Sequence, residues 1–109
     1  MTQQPVEGGI YITKSKDYFS IIKVLKFEDN IVHVRQYKNR FTDIPVGLDA
    51  TTLELGTIHD PDGFGIGHTP YSLNAFWSMK PQLLQHSLVL PEELEGYEYW
   101  KDAGGGVWE

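Results

Sequence analysis

The chain has 109 residues, a net charge of −6 and no cysteine, which is the size of one domain, 1–109. At 40% hydrophobic and 13% aromatic it has the composition of a folded globule, so wholesale disorder is excluded. Without cysteine there is no disulfide or thiol chemistry and zinc would have only His and carboxylate ligands, and no apolar run nears the ~18 residues of a membrane span.

Met1-Thr2-Gln3-Gln4-Pro5 lacks the basic-then-apolar order of a signal peptide, and a cytoplasmic setting with no membrane association is expected. Gly8-Gly9 leads into Ile10-Tyr11-Ile12-Thr13, a short β-rich run, and Lys14 to Asp17 make a polar turn. Tyr18 to Phe27 is rich in aromatic and β-branched residues. Period two puts Phe19, Ile21, Leu25 and Phe27 on one face with Lys23 interrupting, and Tyr18, Ile22 and Val24 on the other with Ser20 and Lys26. Both faces are partly apolar, as in a strand at the centre of a small barrel or one covered by a helix. Glu28-Asp29-Asn30 is a turn signal, because Asp and Asn tolerate left-handed backbone. The next strand, Ile31 to Lys38, sends Val32, Val34 and Gln36 one way and Ile31, His33, Arg35 and Tyr37 the other, and Asn39-Arg40-Phe41 is expected to break it.

Pro45 keeps Ile44-Pro45-Val46 out of a central strand, and Thr52 to Ile58 is expected to be a further short strand. His59 to Tyr71, with two prolines and alternating Gly63, Gly65 and Gly67, reads as loop throughout. Ser72 is a good N-cap for a helix carrying Leu73, Phe76 and Trp77, which Pro81 should end near Met79 or Lys80. Leu83-Leu84 is read as the start of a second short helix. Pro91-Glu92-Glu93 opens another, with proline in the first turn and glutamates at the positive end of the dipole. The three aromatics of Tyr97-Glu98-Tyr99-Trp100 leave a strand open there as the alternative, and Gly104-Gly105-Gly106 is a stop. Strands followed by helices predict an α+β fold: a small bent antiparallel sheet, an SH3-like partial barrel, with short C-terminal helices.

The charge is uneven. Residues 1–54 hold seven basic and seven acidic residues, whereas 55–109 hold two basic and eight acidic ones. The basic stretch 14–40 and the acidic tail 91–109 either neutralise each other inside the fold or leave two faces for oppositely charged partners.

Two segments could carry a site. His33, Arg35 and Tyr37 share a strand face, with Arg40 close by, and an Arg beside an aromatic can hold a carboxylate or phosphate or stack on a base. The overall acidity weighs against nucleic acid, and the competing reading pairs Arg35 and Arg40 with the acidic half while Tyr37 and Phe41 fill the core. In the other segment, His59 and His68 with Asp60 and Asp62 have ligand chemistry, but their spacing fits no metal motif, so neither metal nor cofactor is assigned. The glycines could cradle an anion or simply shape a tight loop. No serine stands in a nucleophile-elbow context, and Glu92, Glu93 and Glu95 read as a solvated helix start, so no residue is assigned as catalytic.

The segments His33-Val-Arg-Gln-Tyr-Lys-Asn-Arg-Phe41 and His59-Asp-Pro-Asp-Gly-Phe-Gly-Ile-Gly-His68 resemble segments of small uncharacterised bacterial proteins. That resemblance implies a bacterial cytoplasmic setting and no activity, cofactor or catalytic residue. The leading expectation is a non-enzymatic module that recognises a protein partner, by analogy with immunity-type or regulatory proteins whose acidic groups plug a basic site. An anion or nucleic-acid binder built on the basic hairpin and the glycine loop, self-association through the tail aromatics, and a metal enzyme using His59, Asp62 and His68 are the alternatives.

Overall fold

Alternating β-branched and aromatic residues on either side of Asp29-Asn30 fold back as the central hairpin. Both turn residues take positive φ, 55° and 62°, as a two-residue hairpin turn requires. The computed structural model describes residues 4–56, 59, 65–104 and 106. They form β1 (Gly9–Lys14), β2 (Phe19–Glu28), β3 (Ile31–Phe41), β4 (Ile66–Ser72), α1 (Leu73–Ser78), β5 (Gln82–His86), a 3₁₀ turn (Pro91–Leu94) and α2 (Glu95–Asp102). The strands make one antiparallel sheet in the order β4-β3-β2-β1-β5. The fold is α+β, and the sheet is open, with β4 and β5 as its edges. Among the described residues no helix is long and apolar enough to cross a membrane.

Each face of the sheet is covered. On one, Tyr11, Ile22, Val24, Val32 and Val34 pack against Phe76 of α1. The Phe76 ring meets Tyr11 edge-on at 5.3 Å and Trp77 at 4.9 Å. Ser72 caps α1 through its hydroxyl, which accepts from the Ala75 N–H at 3.1 Å. The helix ends at Met79, ahead of Pro81. On the other face Ile10, Ile12 and Ile21 pack with Phe19, Tyr37, Leu53 and Leu84.

Several expectations need correction. Pairing steps from Val24↔Val34 to Lys26↔His33, a bulge that inserts one extra residue into β2. Beyond it the faces exchange: Phe27 joins the Val24 face and Lys26 comes to lie beside His33. The strand β3 runs through Asn39-Arg40-Phe41 instead of breaking there. Part of the expected 59–71 loop is strand β4, because an edge strand tolerates the missing donor of Pro70. Leu83-Leu84 belongs to β5, where Leu84 gains the second core cluster. Residues 53–56 are irregular, not a strand, and Thr57 and Ile58 lie outside the described residues. Tyr97 to Trp100, by contrast, is helix as the reading from Pro91 onward has it, and not the alternative strand.

Phe76 is 0% exposed and joins helix to sheet. Phe76→Ala is expected to cost about 3–5 kcal/mol by the lost transfer energy and the cavity left behind, read as a lowered urea midpoint at unchanged slope.

Candidate functional site

The face built by period two on β3 does present Ile31, His33, Arg35 and Tyr37 together, but the acidic tail covers much of it. Pro91 starts the 3₁₀ turn and Glu93 folds back so that its Oε1 accepts from the Leu90 N–H at 2.8 Å. This turns the carboxylate inward rather than to solvent, contrary to the expected solvated helix start: Glu93 is 6% exposed. It meets Lys23 of the central strand, with Nζ 2.9 Å from Oε1 and 3.2 Å from Oε2. Lys23 Nζ also donates to the Leu88 carbonyl at 2.7 Å. Arg35 stands further off, 3.8 Å from Glu93 Oε2, and its buried Nε has no partner among the described residues. Burial, with Glu93 nearby, pushes the Tyr37 hydroxyl above its ordinary value, and Arg35 opposes that rise. Arg35 and Tyr37 line a cleft of about 400 Å³ together with Leu53, Leu88 and Leu90.

His33 lies elsewhere on that face, fully buried beneath α2. Its Nδ1 is 2.9 Å from His68 Nε2, so one ring must donate and the other accept. Tyr97 and Trp100 pack edge-on against it at 4.7 and 4.5 Å. The Tyr97 hydroxyl donates to Glu28 Oε1 at 2.6 Å, and that bond, with burial, pushes it up to about 12. Trp100 Nε1 donates to the Gly106 carbonyl at 2.6 Å. Gly96 permits this close approach: a Cβ there would stand 2.6 Å from the Cβ of His68.

Sequence patterning grouped the candidates correctly by strand face but missed what lies over them. His33 and His68 are spent on each other, Arg35 faces Glu93, and exposed Arg40 lies over the Tyr18 ring at 4.6 Å. His59 is an exposed turn residue, and Asp60 and Asp62 lie outside the described residues. His59, His68, Arg35 and Arg40 therefore do not meet in one cleft. Among the described residues no group of three or more His, Asp or Glu side chains is placed to hold a metal ion.

A feature absent from the expectations is the edge at β5. Among the described residues Gln82-Leu83-Leu84-Gln85-His86 bonds on one side only, to β1. It contains no Lys, Arg, Asp or Glu, and Leu83, Leu88 and Leu90 beside it are 44%, 79% and 42% exposed. One cleft of about 400 Å³ flanks it at Tyr11, Trp77 and Leu83, and another of about 470 Å³ at Glu7 and His86 to Val89. The signal was legible in principle: an uncharged apolar pair between Pro81 and Ser87 is short enough for a strand.

No family model matches the chain, and no curated protein or solved structure does either.

Burial, and after it the neighbouring His68, lowers His33 to about 4 from 6.5, with Glu28 opposing and Lys26 adding to the shift. Burial lowers His68 as well. The unfolded chain takes up these protons near 6.5 while folded His33 resists until about 4. Stability is therefore full above pH 6.5 and declines as pH falls towards 4. The His33 part amounts to about 3 kcal/mol. Denaturant midpoints measured at pH 7.5, 5.5 and 4.5 should fall in that order, and His33→Phe should flatten the slope.

Proposed function

We propose that this chain is a non-enzymatic binding module that recognises a protein partner by pairing the free edge of β5 with an extended segment of that partner. The observation carrying the reading is the contrast between the two edges of the sheet. Edge β4 carries Pro70, which blunts strand pairing, whereas β5 carries neither proline nor charge. Sheet edges left in that state are templates for strand addition, in which main-chain hydrogen bonds supply affinity and flanking pockets select side chains. The clefts at each end of β5 and the exposed Leu83 and Leu88 would take the partner's apolar residues.

Charge narrows the partner's chemistry. Glu7 lines the cleft at His86 to Val89, and exposed Glu92, Glu95, Glu98 and Asp102 follow Leu90 in the chain. An apolar strand flanked by Lys or Arg complements that surface, and its encounter would be steered by charge. An immunity-type or regulatory role, acidic groups meeting a basic partner, agrees with the same complementarity.

Crosslinking in the native cell, with the captured protein then purified and its affinity measured directly, tests this. A basic partner should bind the unaltered chain, bind more weakly as salt rises, and lose about tenfold or more with Leu83→Lys or Leu88→Lys. A partner indifferent to both substitutions, or no captured protein at all, would overturn the reading.

A further inference from the structure

A second site, independent of the β5 edge, opens where the β2–β3 ladder fails. Between Ser20↔Arg40 and Ile22↔Gln36 the pairing advances two residues along β2 but four along β3. The surplus residues leave the ladder, and the Lys38 N–H donates instead to the Glu54 carbonyl at 2.8 Å. Irregularities of this kind re-aim side chains next to binding sites. A cleft of about 310 Å³ lies over the break, within the size range of small-ligand sites.

Its chemistry is one-sided. Arg40 and Lys38 line it together with the polar side chains of Tyr18, Ser20, Gln36 and Tyr71, and among the described residues no aspartate or glutamate does, in a chain whose net charge is −6. Lys38 Nζ lies 3.7 Å from exposed Glu54, whereas among the described residues no ion pair engages Arg40. Its guanidinium carbon lies 4.6 Å from the centre of the Tyr18 ring, a cation–π contact that leaves its N–H donors unconsumed. Gln36 Nε2 donates to the Tyr71 hydroxyl at 2.8 Å and to Thr69 Oγ1 at 3.2 Å. Tyr71 is thereby fixed as an acceptor within the protein, and its own proton is left to donate to a guest.

A planar cation, an oriented phenol and serine and tyrosine hydroxyls, with no carboxylate among the described lining residues, suit an oxyanion carried on a hydroxylated body. We propose that this cleft binds a small phosphate monoester whose organic part carries hydroxyl groups. Arg40 would hold the phosphate from its guanidinium edge, Tyr71 would donate to the ester, and the hydroxyls of Ser20 and Tyr18 would meet those of the organic part. The ligand fits beside the sheet without touching β5, so the two sites can be occupied together.

Titrating the isotope-labelled full chain with glycerophosphate, and separately with glycerol and with inorganic phosphate, tests the assignment by NMR. Glycerophosphate should shift the amides of Ser20, Gln36 to Arg40 and Tyr71, with inorganic phosphate binding more weakly and glycerol leaving the spectrum unchanged. Arg40→Gln, at an exposed position that leaves the core intact, should weaken glycerophosphate about tenfold or more, and Tyr71→Phe should weaken it less. The proposal is overturned if glycerophosphate moves no resonance in the cleft, if glycerol binds equally, if inorganic phosphate binds as tightly as the ester, or if Arg40→Gln binds as the unaltered chain does.

Discussion

An ammonium and a carboxylate withdrawn from water at the centre of one sheet face govern how the C-terminal half is arranged. Isolated, either charge would be costly to bury. Lys23 and Glu93 tolerate it because their bonds are nearly complete. The ammonium has acceptors in both Glu93 oxygens and the Leu88 carbonyl, and the carboxylate also accepts from Leu90 N–H. Lys23 is on β2, the middle strand of five, while Leu88, Leu90 and Glu93 belong to the segment that leaves the edge strand β5. The pair therefore pulls that segment back across the sheet from its edge to its centre. A buried pair of this kind contributes more to fixing one arrangement than to net stability, since its desolvation offsets much of its attraction. Here the arrangement it fixes determines which surfaces remain available.

What remains available follows from what the tail covers. The 3₁₀ turn and α2 take the His33 end of the face, where an aromatic enclosure of Tyr97 and Trp100 seals the histidine pair. Among the described residues they leave the outer edge of β5 unpaired, with Leu83 and Leu88 exposed beside it. At the opposite end of the β2–β3 ladder no ion pair among the described residues engages Arg40, which lies over the Tyr18 ring. One basic stretch thus divides into residues paired inside the fold, such as Lys23, and residues exposed at its far end, such as Arg40.

Much of this was legible in the residues and some was not, for physical reasons. The hairpin, its Asp29-Asn30 turn, the Ser72 cap and the Pro81 stop follow from local chemistry, which acts over a few residues. The alternation of β3 was equally readable, and it grouped His33, Arg35 and Tyr37 on one face. Period two could not foresee the bulge that sends Lys26 and Phe27 to exchanged faces, because a bulge is a property of the pairing between two strands. Strand β4 was hidden by Pro70, whose penalty depends on whether the strand is an edge. Glu93 looked solvated beside Glu92 and Glu95, since nothing local separates the glutamate that meets Lys23 seventy residues away from those that meet water.

The double-mutant cycle between Lys23→Met and Glu93→Gln, read by denaturant unfolding, tests the central claim most directly. The account predicts that each single change costs about 3–5 kcal/mol by leaving a buried group without its partner. It also predicts that the double change costs less than their sum by more than about 1 kcal/mol. Additivity within about 0.5 kcal/mol would contradict it, because two side chains that do not depend on each other cannot fasten the tail to the centre of the sheet.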